Sequence, residues 1–293
     1  MVQTFQSHND QAQTLRSLNG KVSEPGSTNV YSITSGKGGV GKTATTANLA
    51  YSLASLGNRV LILDADLGLA NIDVVFGLTP TYNLNHFFSG EQDLMEIMVE
   101  GPLGIKILPA GSGVQSFIQL GAAQKMCLFE GLDTLNTHFD FVLIDTEAGI
   151  SENVTYFNTA AQSIIVITTP EPTAITDAYA IMKLLSVQHH EKHFHLIVNQ
   201  IDSEDDALDV YRKLTMVANR YLDISINYLG SIFKDEKMVE AIKKQKVISE
   251  IYPTSRVSQS FVQLAKRMCL EPSVTTPKGN LQFFWKKLLN LGS

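Results

Sequence analysis

The sequence predicts a doubly wound α/β fold, a mostly parallel sheet with helices on both faces, and three observations predict it. Short runs of β-branched and apolar residues recur along the chain: VYSIT (30–34), RVLILD (59–64), IKILP (105–109), FVLID (141–145), SIIVIT (163–168), FHLIVN (194–199) and INYLGSI (226–232). Longer stretches of helical character separate them, the alternation expected of strands joined by crossover helices. The runs are nearly unbroken in apolar residues, as strands covered on both faces require.

Each segment follows from its residues. Residues 1–8 carry few apolar side chains, and Asn9 or Asp10 can cap a short helix with Ala12, Leu15 and Leu18 along one side. NGKVSEPGSTN (19–29) is a linker by its Gly, Pro and Ser content, so 1–29 reads as a separate peptide and linker. The alternating domain occupies 30–271. EPSVTTPKGN (271–280) then breaks the rhythm, and LQFFWKKLLNL (281–291) ends the chain, so 272–293 reads as a linker and tail helix.

Bulk properties narrow the class. A chain of 293 residues, 44% of them apolar, suits one large domain or one and a half. The balance of 23 basic against 29 acidic residues, a net charge of −6, argues against a whole-surface nucleic-acid binder. Cys127 and Cys269 lie far apart with no metal-like spacing, which suggests a reducing compartment. No secretory signal is visible, and no uninterrupted apolar stretch reaches the ~18 residues of a membrane span. His189, His190, His193 and His195 crowd QHHEKHFH but lack placeable further ligands, so they read as a solvated helix end before a strand.

The chemistry starts at the first strand. VYSIT runs into Ser35-Gly36-Lys37-Gly38-Gly39-Val40-Gly41-Lys42-Thr43, and a helix follows directly. Glycines let backbone N–H groups curl around phosphate oxygens, and the helix N-terminus adds a favourable dipole. Lys42 is placed to reach the β- and γ-phosphates of ATP, or the β-phosphate of ADP, and the Thr43 hydroxyl to bind Mg²⁺. FVLID ends in Asp145, the position expected to hold Mg²⁺ through water. RVLILDADLGLANID sets Asp64 and Asp66 just past the second strand. For Asp66 and Asp145 the plainer alternative is a carboxylate capping the next helix.

Lys37 narrows the reading. The K-G-G-x-G-K-[ST] loop resembles the deviant Walker A P-loop ATPases of the MinD/ParA type, which fits the sheet predicted above. That resemblance implies a nucleotide-gated homodimer in which Lys37 reaches the partner's nucleotide; a solvated loop lysine is the plainer alternative. It makes Asp66 the residue that orients the attacking water, with Asp64 supporting the loop or the metal shell. Gly149 becomes the switch that senses the γ-phosphate, Asn199 an adenine contact, and Thr45 part of the nucleotide site. Asn199 as a simple loop cap stays open. Two departures from the family pattern stand out: Glu147 replaces the usual Pro or Gly, and Phe233 in LGSIFKDE replaces the usual proline over the base. A carboxylate at 147 would repel phosphate unless it points outward or meets a cation.

Within that family the chain is most similar to the flagellar-number regulators FlhG and FleN, from residue 9 to about 290. Asp10-Gln11-Ala12-Gln13-Thr14-Leu15-Arg16 resembles the D-Q-A-x-x-L-R motif that stimulates the SRP-type GTPase FlhF. DADLGLANIDVVFGL (64–78) and EPTAITDAYAIMKLL (171–185) are also close to family wording. The resemblance implies a slow regulatory ATPase with FlhF and a flagellar master transcriptional regulator of the FleQ or FlrA type as partners. Asp10, Gln11, Ala12, Leu15 and Arg16 would make the FlhF contact.

The tail has its own physics. At ~100° per residue Leu281, Phe284, Trp285, Leu288, Leu289 and Leu291 share one arc, opposite Gln282, Lys286, Lys287 and Asn290. Phe283 falls on the polar side. Residues 272–293 hold Lys278, Lys286 and Lys287 and no carboxylate. A helix ~16 Å long cannot span a bilayer but can lie in an anionic interface, weakly and reversibly. Docking on its own domain, permanently or only without ATP, stays open. The implied localisation is cytoplasmic with peripheral inner-membrane association in the ATP state, the cell pole being one place for it.

Rival classes leave traces in sequence. A DNA-partitioning ParA-type ATPase would usually carry basic patches, and the acidic balance and apolar tail count against it, so no direct nucleic-acid contact is expected. A reductase like the nitrogenase iron protein needs cysteines near the switch regions. A MinD-type division-site ATPase shares the mechanism, but the N-terminal motif speaks against it.

Overall fold

The computed structural model describes residues 28–66, 71–109, 121–133 and 138–270. The N-terminal peptide and the tail helix lie outside the described residues. Within them a single eight-stranded sheet has the order β3-β4-β2-β5-β1-β6-β7-β8. Its strands are β1 (Asn29–Ser35), β2 (Val60–Ala65), β3 (Val99–Glu100), β4 (Lys106–Leu108), β5 (Phe141–Ala148), β6 (Ser163–Thr168), β7 (His193–Ile201) and β8 (Ser225–Phe233). Every neighbouring pair is parallel except β3 with β4. The seven expected runs are all strands; β3 was missed because two residues are too few to show a pattern.

The helices are α1 (Lys42–Ser55), α2 (Ile72–Phe76), α3 (Leu84–Phe88), α4 (Leu94–Ile97), α5 (Ala122–Asp133), α6 (Glu152–Ala160), α7 (Pro172–His189), α8 (Glu204–Tyr221), α9 (Glu236–Lys243), α10 (Ile248–Ile251) and α11 (Arg256–Leu270). They cover both sheet faces, and alternation along each strand divides the core accordingly. Tyr31, Ile33, Ile62, Leu143 and Ile197 pack with Leu49 and Leu53 of α1 and Phe261 of α11. On the opposite face Val142 and Ile144 meet Phe157 of α6. Leu196 and Val198 meet Ile181 of α7 and Val210 of α8 on that face too. Burial of every residue of β2 accounts for the unbroken apolar run there.

β1 is central. The helix after β1 and the helix after β6 cover opposite faces, so a crevice opens at their carboxyl ends, where such sheets hold ligands. At the far edge, two carbonyls of β8 are taken by side chains: Tyr211 Oη donates to Ile226 O at 3.3 Å, and Arg267 Nη1 to Leu229 O at 2.6 Å.

Candidate functional site

The loop between β1 and α1 is built on backbone shapes that side chains resist. Gly39 and Gly41 sit at φ +80° and +87°, in the left-handed region. Gly36 is constrained by contact instead: a Cβ there would lie 2.1 Å from the carbonyl oxygen of Asp177, so the loop starts directly on the α7 backbone. α1 begins at Lys42 with Gly41 as its N-cap, leaving the first helical N–H groups facing the crevice. Gly38 and Val40 complete the loop, Val40 buried and Gly38 with open space around it.

Beneath the loop the charged groups converge. Lys42 Nζ lies 3.8 Å from Asp145 Oδ1, with the two side chains 8% and 1% exposed. Thr46 Oγ1 donates to the same oxygen at 3.0 Å. Burial pushes the Asp145 carboxyl above its usual range, opposed by Lys42 and by the hydroxyls of Thr43 and Thr46, while the charge of Asp66 adds to the rise. Asp64 stands in register with Asp145 on the neighbouring strand. Burial first, and then the charge of Asp145, push its carboxyl up to about 7. Asp64 Oδ1 accepts from Asp66 N at 3.2 Å, and Oδ2 from Asn71 N at 3.0 Å and Ile72 N at 3.2 Å.

This excess of carboxylate around one buried ammonium fits a divalent cation, which oxygen donors of this kind bind. Thr43 and Asp145 would hold Mg²⁺, and Lys42 is left to meet phosphate. Bound there, Mg²⁺ supplies neutralisation of phosphate charge. Thr45 is buried one residue short of Thr46, with its backbone N–H on Gly41 O at 2.9 Å. Thr46 lies one helical turn beyond Lys42, a spacing that places both on one face of α1.

The proposed switch residues hold other partners in this conformation. Gly149, at φ +98°, donates its N–H to Ser35 O at 2.9 Å. Glu147 accepts from Ser151 Oγ at 3.2 Å, and that hydroxyl also caps α6 by accepting from Val154 N at 3.3 Å. The carboxylate therefore meets the positive end of a helix, which eases the repulsion expected from sequence. Lys37 Nζ donates to Glu171 Oε2 and to Thr173 Oγ1, each at 2.8 Å, at the start of α7. Nothing near Lys37 in sequence hints at Glu171, 134 positions away.

At the base side, Asn199 ends up against the phosphate loop, with Nδ2 donating to Val40 O at 2.7 Å. Phe233 ends β8 with the Arg256 guanidinium 3.3 Å over its ring centre. His195 is not in a solvated helix end: it is buried on β7, edge-on to Tyr31. The proposed FlhF-contacting residues Asp10 to Arg16 and the tail residues Leu281, Phe284, Trp285, Leu288 and Leu289 lie outside the described residues.

A family model described as an AAA domain matches residues 28–198. The antiactivator FleN of Pseudomonas aeruginosa is 40% identical over 260 residues, 89% of this chain and 93% of that protein. The flagellum site-determining protein YlxH of Helicobacter pylori is 36% identical, covering 90% of each chain. Among solved structures, the septum site-determining protein MinD of Pyrococcus horikoshii complexed with Mg-ADP superposes with a TM-score of 0.64. It is 26% identical and covers 82% of this chain and 96% of its own.

Proposed function

The chain belongs to the MinD/ParA-like family of P-loop ATPases, in its FlhG/FleN branch, and from that premise we propose that it is an ATP-gated dimer controlling flagellar number and placement. The observation that carries the ATPase chemistry is the buried group of Lys42, Thr43, Thr46 and Asp145 beneath the glycine loop. The names antiactivator and site-determining, borne by the two flagellar relatives, support the regulatory part.

In this reading ATP enters with its phosphates on the 36–43 loop. Lys37 leaves Glu171 for the partner's nucleotide, an exchange made easy by the exposure of that ion pair. Gly149 trades Ser35 O for the γ-phosphate, and Asp66 orients the attacking water. Hydrolysis ends these contacts and returns the monomer. The peptide around Asp10, Gln11, Ala12, Leu15 and Arg16 stimulates FlhF, and a transcriptional regulator of the FleQ or FlrA type is the second partner. Paired tail helices bind an anionic inner membrane surface in the ATP state, since tethering two weak anchors raises the effective concentration of the second.

Two experiments test the separate arms. Deleting residues 1–19 is expected to abolish stimulation of GTP hydrolysis by FlhF while leaving this protein's own ATPase rate intact. A truncated protein that still accelerates FlhF would end the motif assignment. The tail is tested with anionic vesicles. In the Asp66→Ala background the protein should sediment with ATP and stay in solution with ADP, and Trp285→Asp should remove the effect by charging the apolar arc. Each lysine contributes about 1 kcal/mol near such a surface, so Lys286→Gln with Lys287→Gln should weaken binding most on anionic lipid. Equal binding with both nucleotides would sink the gating; no binding at all would make the tail a protein-docking helix.

A further inference from the structure

We infer that Asn199 is a positioning residue of the phosphate loop, acting through the Val40 carbonyl on any triphosphate, with or without a base. The inference rests on the nucleotide-binding reading of the same loop and goes beyond the base contact assigned to this residue by resemblance.

Three observations carry it. Asn199 is buried, and its Nδ2 reaches Val40 O at 2.7 Å across 159 positions of sequence. The contact is close on the loop's other side as well: a Cβ on Gly41 would lie 2.4 Å from Nδ2, at a residue whose φ of +87° already favours glycine. The amide is also held one way round, because its Oδ1 accepts from Gln200 N at 2.8 Å. Gln200 makes that bond from φ +58°, a left-handed shape uncommon outside glycine, at a register shift between β7 and β8. Strained backbone of this kind persists where surrounding structure enforces it, and often next to ligand sites.

The consequence follows from peptide geometry. In a trans peptide the carbonyl and the following N–H point in opposite directions. Pinning Val40 C=O onto β7 therefore turns the Gly41 N–H away from β7 and into the loop, where phosphate oxygens bind. Gly41 also caps α1, so the same brace sets the entry of the helix that carries Lys42 and Thr43. The bond links the end of β7 directly to the phosphate loop.

The test compares Mg-ATP with Mg-tripolyphosphate, which has phosphates and no base, by calorimetry on the full chain. Asn199→Ala is expected to weaken both by the same factor, about tenfold, the value of one well-made hydrogen bond. In turnover the KM for ATP should rise by that factor with kcat little changed, a split that general loss of stability in a still-folded protein does not produce. Weakening of ATP alone would leave only a base contact and overturn the inference, as would no weakening of either ligand. Wild type that binds ATP but not tripolyphosphate overturns it too, whereas wild type that binds neither removes the nucleotide reading itself. If Asn199→Ala does not fold, Asn199→Ser is read by the same outcomes.

Discussion

Lys42→Ala is expected to lower Mg-ATP affinity by about 100-fold, measured by calorimetry, which corresponds to ~2.7 kcal/mol. The Lys42 side chain is 8% exposed, so it is not a solvated surface lysine. Burial raises the pKa of its partner Asp145, and Lys42 is the largest influence opposing that rise. The variant is expected to lose its principal phosphate contact. Unchanged ATP affinity in a folded variant would remove the central assignment of the loop.

Asp66→Ala is the complementary experiment. It should bind ATP and form the dimer but turn over about 100-fold more slowly, because aligning an attacking water belongs to the transition state. Asp66 follows β2 directly, its backbone N–H is tied to Asp64, and its charge is felt at Asp145. Lys37→Ala should instead bind ATP and stay monomeric. Light scattering with ATP separates the two, and identical oligomer profiles would break the division of labour between gate and catalyst.

The fold and the glycine loop were readable from the residues. The glycine loop is contiguous, and its strand and helix flanks supply the context that turns a pattern into a phosphate site. Asp145 stands out in the sequence because an apolar run ends there, although β5 itself continues to Ala148. What stayed hidden is long-range. Lys37 with Glu171 and Asn199 with Val40 join residues more than a hundred positions apart, and the periodicity of the sequence does not register such pairs. Glu147 shows a different limit. Its partner, the Ser151 hydroxyl at the head of α6, depends on how the chain turns after β5. Thr46 could have been found, since helical spacing alone puts it beside Lys42.

The two side-chain caps on β8 bear on how copies of the chain meet. A bare strand edge is adhesive at all times, because its backbone accepts another strand whatever ligand is bound. Tyr211 and Arg267 occupy the carbonyls of Ile226 and Leu229, so end-to-end stacking of sheets into fibres finds those positions already filled.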